Sequence, residues 1–130
     1  MRFIRIAALL AAAVAAAPAG AATEIVGTWR IAAIGALDVP AEAGLTIAFE
    51  AGGTFSGSTG CNAFSGSYTM KGDALELGPI RITQRGCEPA AAARENRLML
   101  ALGTARTVEA GERGVVLGGA GADRLVLARG

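Results

Sequence analysis

Histidine is absent from the 130-residue chain, and cysteine, tryptophan and tyrosine occur only two, one and one times. Without histidine the commonest general base and the commonest metal ligand are missing. Ser-His-Asp and Cys-His catalysis are therefore excluded, as are zinc sites built on imidazole. Neither sign of charge dominates: setting aside Arg2 and Arg5 of the N-terminal segment leaves 10 of the 12 basic residues against 11 acidic ones, a net charge of −1. A near-neutral chain has no long-range field with which to gather phosphates, so nucleic acid is not an expected partner. There is no internal repeat, no C-x-x-C spacing and no linker long enough to separate two domains. The length fits one domain.

The one long apolar run lies at the start. Arg2 and Arg5 form a positive n-region, Ile6 to Ala17 an apolar stretch of 12 residues, and Pro18 precedes the small residues Ala19, Gly20, Ala21 and Ala22. This pattern is that of a cleaved secretory signal over residues 1–22, cut after Ala21 or Ala22, with the domain occupying residues 23–130. The apolar run is shorter than the roughly 18 residues of a spanning helix, so no stable membrane span is expected after cleavage. No cysteine precedes Cys61, which excludes a lipid-bearing cysteine at the cleavage point. The expected location is the periplasm or the cell exterior, with the protein soluble there. In such an oxidising compartment Cys61 and Cys87 are expected to form one disulfide, closing 27 residues counted inclusively. Two separate buried thiols, a reactive thiol and a thiolate metal ligand are the alternatives, the last set aside because two cysteines without histidine make a poor metal set.

Most of the remaining sequence reads as short strands bounded by glycine. Trp29, Ile31 and Ala33 alternate with Thr28, Arg30 and Ala32, and Leu45, Ile47 and Phe49 repeat the period before Gly52-Gly53 turns into Thr54-Phe55-Ser56. Gly60-Cys61-Asn62 marks a turn, after which Phe64, Gly66, Tyr68 and Met70 share a face. Leu75 and Leu77, then Ile80 and Ile82, indicate two further strands. Val115 and Leu117 oppose Leu125 and Leu127 across Gly118-Gly119-Ala120-Gly121, a final hairpin. That glycine cluster lacks the third glycine and the following helix of a phosphate loop. Ala36 to Gly44, with Pro40, reads as a surface loop. One segment differs: Pro89 to Leu102 contains five alanines and no internal proline or glycine, and Gly103 supplies a stop. On this helix Ala91, Glu95, Leu98 and Leu102 align, which sets a carboxylate in an apolar stripe. A buried carboxylate must be paired or hydrogen-bonded, so Glu95 is expected to accept hydrogen bonds from the Gly60-Cys61-Asn62 turn or from Trp29. About eight short strands and one packed helix predict a mainly β protein, an antiparallel barrel or strongly curved sheet.

These residues carry a family resemblance. Gly27-Thr28-Trp29, Phe49 with Gly53 and Phe55, the run Ser56 to Asn62, and Phe64-Ser65-Gly66-Ser67-Tyr68 resemble the META domain of HslJ-like heat-shock proteins. Thr83 four residues before Cys87, Glu95 eight after it, then Leu98, Leu102 and Leu125-Val126-Leu127 follow in matching order, so the likeness spans residues 24 to 129. The family motif residues carried over are Trp29, Gly60, Cys61, Asn62, Tyr68, Thr83 and Glu95, in structural roles. Two departures stand out: Gln84-Arg85-Gly86 replaces a common Arg-Met between that threonine and the second cysteine, and the lipid-bearing cysteine of many relatives is missing. The resemblance implies a small β-barrel of lipocalin-like topology. It also implies a non-catalytic envelope protein associated with heat shock and, in some relatives, with novobiocin tolerance. No catalytic residue, cofactor or metal is expected. The expected partner is an envelope protein, bound by a monomer. The alternative is a carrier that holds a small apolar ligand in the barrel. An enzyme using Glu95 as acid or base is the third reading, set behind these because no second carboxylate accompanies it.

Overall fold

A computed structural model describes residues 23–119 and 123–129. The leader expected over residues 1–22 lies outside the described residues, as do 120–122 of the final hairpin turn. Ten strands and one α-helix follow one another: β1 (Gly27–Ile34), β2 (Leu37–Asp38), β3 (Leu45–Phe49), β4 (Thr54–Thr59), β5 (Ala63–Lys71), β6 (Ala74–Leu77), β7 (Arg81–Ile82), α1 (Pro89–Thr104), β8 (Ala105–Ala110), β9 (Gly114–Gly119) and β10 (Leu125–Arg129). Eight of the strands form a closed antiparallel barrel in the order β10-β9-β8-β6-β5-β4-β3-β1, sealed by pairing of β1 with β10. Closure leaves no long unpaired edge. The two remaining strands lengthen existing pairings: β2 continues along β1, and β7 pairs with β5 at Phe64 and Ser65 where β6 has not reached.

The alternating faces explain the core. Leu45, Ile47 and Phe49 point inward and pair across to β4, with Phe49 opposite Phe55, and the closing hairpin sets Leu117 against Leu125 and Val115 against Leu127. The last two pairings are the ones the sequence sets across the final turn, although Gly118 and Gly119, expected in that turn, continue β9 and pair with β8. The strongly curved wall needs close approach at Gly57, where an added Cβ would run into the Phe64 ring and the Thr46 carbonyl. The aromatic ring of the neighbouring strand covers the glycine instead.

Four expectations need correction. Alternation in β1 fails after Ile31, because a bulge against β10 between Ile31 and Ala33 shifts the phase and buries Ala32 and Ile34 as well. Ala36 to Gly44 is not a plain loop: it contains β2 and a 3-10 turn, Ala41–Ala43, and it buries Val39. The helix runs through Gly103 to Thr104, and ends only where Ala105 turns extended to pair with Gly119. An interior glycine costs a helix about 1 kcal/mol, too little to stop one whose final turn is packed. Finally, β8 has no counterpart in the sequence reading. Only Ala105 and Val108 of its six residues are buried, a spacing of three that reads as continuing helix, and an irregularity between Ala105 and Thr107 explains that spacing.

The two barrel mouths differ, and the helix packs at one of them. Helix α1 lies against β1 and β4, with Leu98, Ala101 and Leu102 in the core, at the mouth where β3, β5, β8 and β10 begin. At the other mouth Ile25 is buried, and the segment Thr23 to Val26 lines an open cavity of about 530 Å³ together with Ala51 to Gly53 and Tyr68 to Met70.

Candidate functional site

The residues with chemistry gather where α1 meets the turn joining β4 to β5. That turn is built around Gly60, whose φ of +86° lies in the left-handed region. An added Cβ there would also meet the Ala43 carbonyl, so glycine is required on two counts. The Thr59 hydroxyl closes the turn from below, accepting from the Asn62 N–H at 2.8 Å and the Cys61 N–H at 3.3 Å. Its single proton goes to Glu95 Oε2 at 2.6 Å, the shorter of its two options.

Asn62, buried at 4% exposure, is the centre of the arrangement. Its Nδ2 donates to Glu95 Oε2 at 2.9 Å and lies 3.4 Å from the Arg85 carbonyl. Its Oδ1 accepts from the Thr83 hydroxyl at 2.9 Å and from the Arg85 N–H at 2.7 Å. Thr83 in turn exchanges bonds with Ala63, through Oγ1 at 3.1 Å and its own N–H at 3.0 Å. One amide side chain therefore joins the β4–β5 turn, the segment Thr83 to Arg85 and the helix. A disulfide joins Cys61 to Cys87 across the same junction, with Cα atoms 6.0 Å apart. Each sulfur lies within 4.8 Å of the other and of a Glu95 carboxylate oxygen.

Of the family motif residues, Gly60, Cys61, Asn62, Thr83 and Glu95 meet here, and Cys87 with them. Trp29 and Tyr68 do not. Trp29 is buried in the core and its indole N–H donates to the Ile25 carbonyl at 2.8 Å, so it is not the donor to Glu95. The Arg129 guanidinium stacks over its ring at 4.4 Å. Tyr68 lies at the opposite mouth, edge-on to Phe49 at 5.0 Å, and its hydroxyl donates to the Glu50 carbonyl at 2.6 Å. Burial raises its phenol above the ordinary tyrosine value, and the carboxylates of Glu24 and Glu50 add to the shift. Two participants are not among the site residues singled out from the sequence: Thr59, which lies within the Ser56 to Asn62 run, and the backbone of Arg85. Thr59 had a signal, since it continues the inward face of Phe55 and Gly57 as a hydroxyl among apolar neighbours. Arg85 contributes only main-chain atoms, which no side-chain pattern reports.

Chemically, the junction offers a half-buried disulfide and a carboxylate whose Oε2 is held by two donors, an arrangement suited to tying elements together. No described helix is long and apolar enough to cross a membrane. No curated protein matches the chain. Among solved structures, an NMR structure of a protein from Burkholderia xenovorans is similar at 24% identity, covering 80% of this chain and 81% of that one with a TM-score of 0.64. The crystal structure of a DUF4847 family protein from Bacteroides vulgatus is similar at 18% identity, covering 80% of this chain and 92% of that one with a TM-score of 0.58. Both likenesses concern the fold. The barrel, the Gly60-Cys61-Asn62 turn bonded to the helix, and a match of residues 22–130 to the META domain family place the chain in that family.

Proposed function

We propose that this protein is a non-catalytic, exported envelope protein, cut after Ala21 or Ala22, that binds or stabilises a partner during stress such as heat or novobiocin exposure. The observation that supports it best is the contiguous core of buried side chains inside the barrel, with Leu98, Ala101 and Leu102 of α1 packed into it. That core weighs against the carrier reading, which needs an interior site for an apolar ligand. The polar groups near Glu95 are engaged with one another rather than aimed at a substrate, which weighs against general acid or base work. Membership of the META family is consistent with this.

Deleting the gene in its own host and measuring survival at elevated temperature and in novobiocin tests the reading. Loss of survival that is restored by the whole gene, and not by one lacking codons 2–22, is the expected result. Unchanged survival under both stresses sinks the stress role. Thermal-shift measurements with novobiocin and a hydrophobic dye separate the alternatives: saturable stabilisation by either compound favours the carrier.

A further inference from the structure

Opening the Cys61–Cys87 bridge would leave two thiols beside a carboxylate that is already oriented. We infer that the reduced protein has a binding site for a thiophilic divalent cation of the zinc type, with Cys61 Sγ, Cys87 Sγ and the Glu95 carboxylate as ligands and water in the fourth position. The disulfide keeps this site closed.

The geometry carries the assignment. The three ligand atoms lie within 4.8 Å of one another. Tetrahedral zinc, with Zn–S near 2.3 Å and Zn–O near 2.0 Å, needs S···S of about 3.8 Å and S···O of about 3.5 Å. The Cα atoms are 6.0 Å apart, a span across which rotation of the two cysteine side chains can set that S···S distance once the bridge is open. Glu95 is prepared for the role: Thr59 and Asn62 hold Oε2 at 2.6 and 2.9 Å, while Oε1 accepts no hydrogen bond among the described residues. Donors to a ligating carboxylate fix its orientation. Around the sulfurs, Asn62 Nδ2 lies 3.6 Å from Cys87 Sγ, and the Arg85 and Gly86 carbonyl oxygens lie 3.5 to 4.0 Å from the two sulfurs, where they accept from the thiols until a cation displaces the protons. All three ligand residues are partly exposed, so a cation can enter from solvent.

The chemistry balances. A dithiol reductant gives two electrons and two protons, the S–S bond breaks, and the reductant closes to its own disulfide. A divalent cation then displaces the two thiol protons and forms two metal–sulfur bonds. Two thiolates and a carboxylate against a divalent cation leave one negative charge at the centre.

The test uses the chain purified from expressing cells, reduced with a phosphine, desalted without oxygen and titrated with Cd(II), then with Zn(II) against a chromophoric chelator. Trp29 emission reports folding throughout. The expected result is one equivalent of Cd(II) bound with an ultraviolet thiolate-to-metal band, and binding at least about 100-fold tighter than in the oxidised chain. Glu95→Gln should weaken Zn(II) binding by about tenfold or more with both thiols intact. Should that variant fail to fold, zinc X-ray absorption on the unaltered reduced chain decides, with two sulfur scatterers near 2.3 Å and two lighter ones near 2.0 Å expected. Equal affinity in the oxidised chain overturns the inference. So do unchanged affinity in a folded Glu95→Gln variant, a sulfur count other than two, or a reduced chain that stays unfolded when metal is added.

Discussion

Asn62 and Glu95 sit at two ends of one hydrogen bond, yet their removal should differ in cost. Asn62 is buried and serves four groups, so Asn62→Ala leaves the Thr83 hydroxyl and the Arg85 N–H without their acceptor. A loss of about 2 to 4 kcal/mol in urea unfolding is expected, in the range of broken buried networks. Glu95 is only half-buried and accepts two bonds on one oxygen, so Glu95→Ala should cost less, about 1 to 3 kcal/mol. If Glu95→Ala costs more than Asn62→Ala, the asparagine is not the centre. Tyr68, the only tyrosine, makes a pH prediction. Partial burial and the nearby Glu24 and Glu50 raise its phenol above the ordinary 10.0. The folded state thus holds the proton more tightly than the unfolded chain. The resulting stabilisation is complete below pH 10 and is lost as pH rises through the folded value. Ultraviolet titration should show its ionisation above 10, and Tyr68→Phe should flatten the fall in stability over that window.

At the scale of elements, the helix is attached by three means: apolar packing, the Glu95 bonds and the Cys61–Cys87 bridge just before its start. Leu98 is fully buried and Leu100 is 69% exposed, two residues apart on the same helix. Leu98→Ala should cost about 2 to 5 kcal/mol, whereas Leu100→Ala should stay within about 0.5 kcal/mol, as surface substitutions do. Equal costs would mean that the helix packs by a different face. Reducing the disulfide should lower stability by about 3.5 kcal/mol on the chain-entropy argument, and denaturant midpoints with and without reductant measure it. The sequence showed this helix clearly, since alanines, Pro89 and the 91/95/98/102 stripe are local properties. It concealed β8, which follows without a break and pairs irregularly with β9, so its burial pattern is imposed by partners far along the chain.

Across the whole molecule, the barrel is not equally tight all round. Strands β3, β4 and β5 share five-residue ladders, whereas β6 and β8 meet at the single pair Ala74 and Thr107, aided by the Val108 N–H to the Asp73 carbonyl at 2.9 Å. Amide exchange is therefore expected to be fastest, among the barrel strands, at the facing edges of β6 and β8. Uniform protection around the barrel would contradict this. The Thr23 N–H also donates to Asp73 Oδ1 at 3.0 Å, next to that seam. Cleavage after Ala22 would turn this nitrogen into a charged terminus paired with Asp73, and cleavage after Ala21 would not. Mass spectrometry of exported protein should find Ala22 or Thr23 at the N-terminus, and a retained Met1 would refute the leader reading.

Period-two alternation, glycine punctuation and one alanine-rich helix sufficed for the mainly β class, the facing residues of the final hairpin and the stripe that carries Glu95. These features are local, because a strand's two faces and a helix's stripe follow from backbone geometry alone. Three other features came only from the tertiary structure: which strands seal the expected barrel, β1 and β10, the bulge that buries Ala32 and Ile34, and the choice of Asn62 and Thr59 over Trp29 as donors to Glu95. Each depends on which segments meet across dozens of residues, and a hydrogen-bond partner is decided by distance in space, which a linear pattern does not encode.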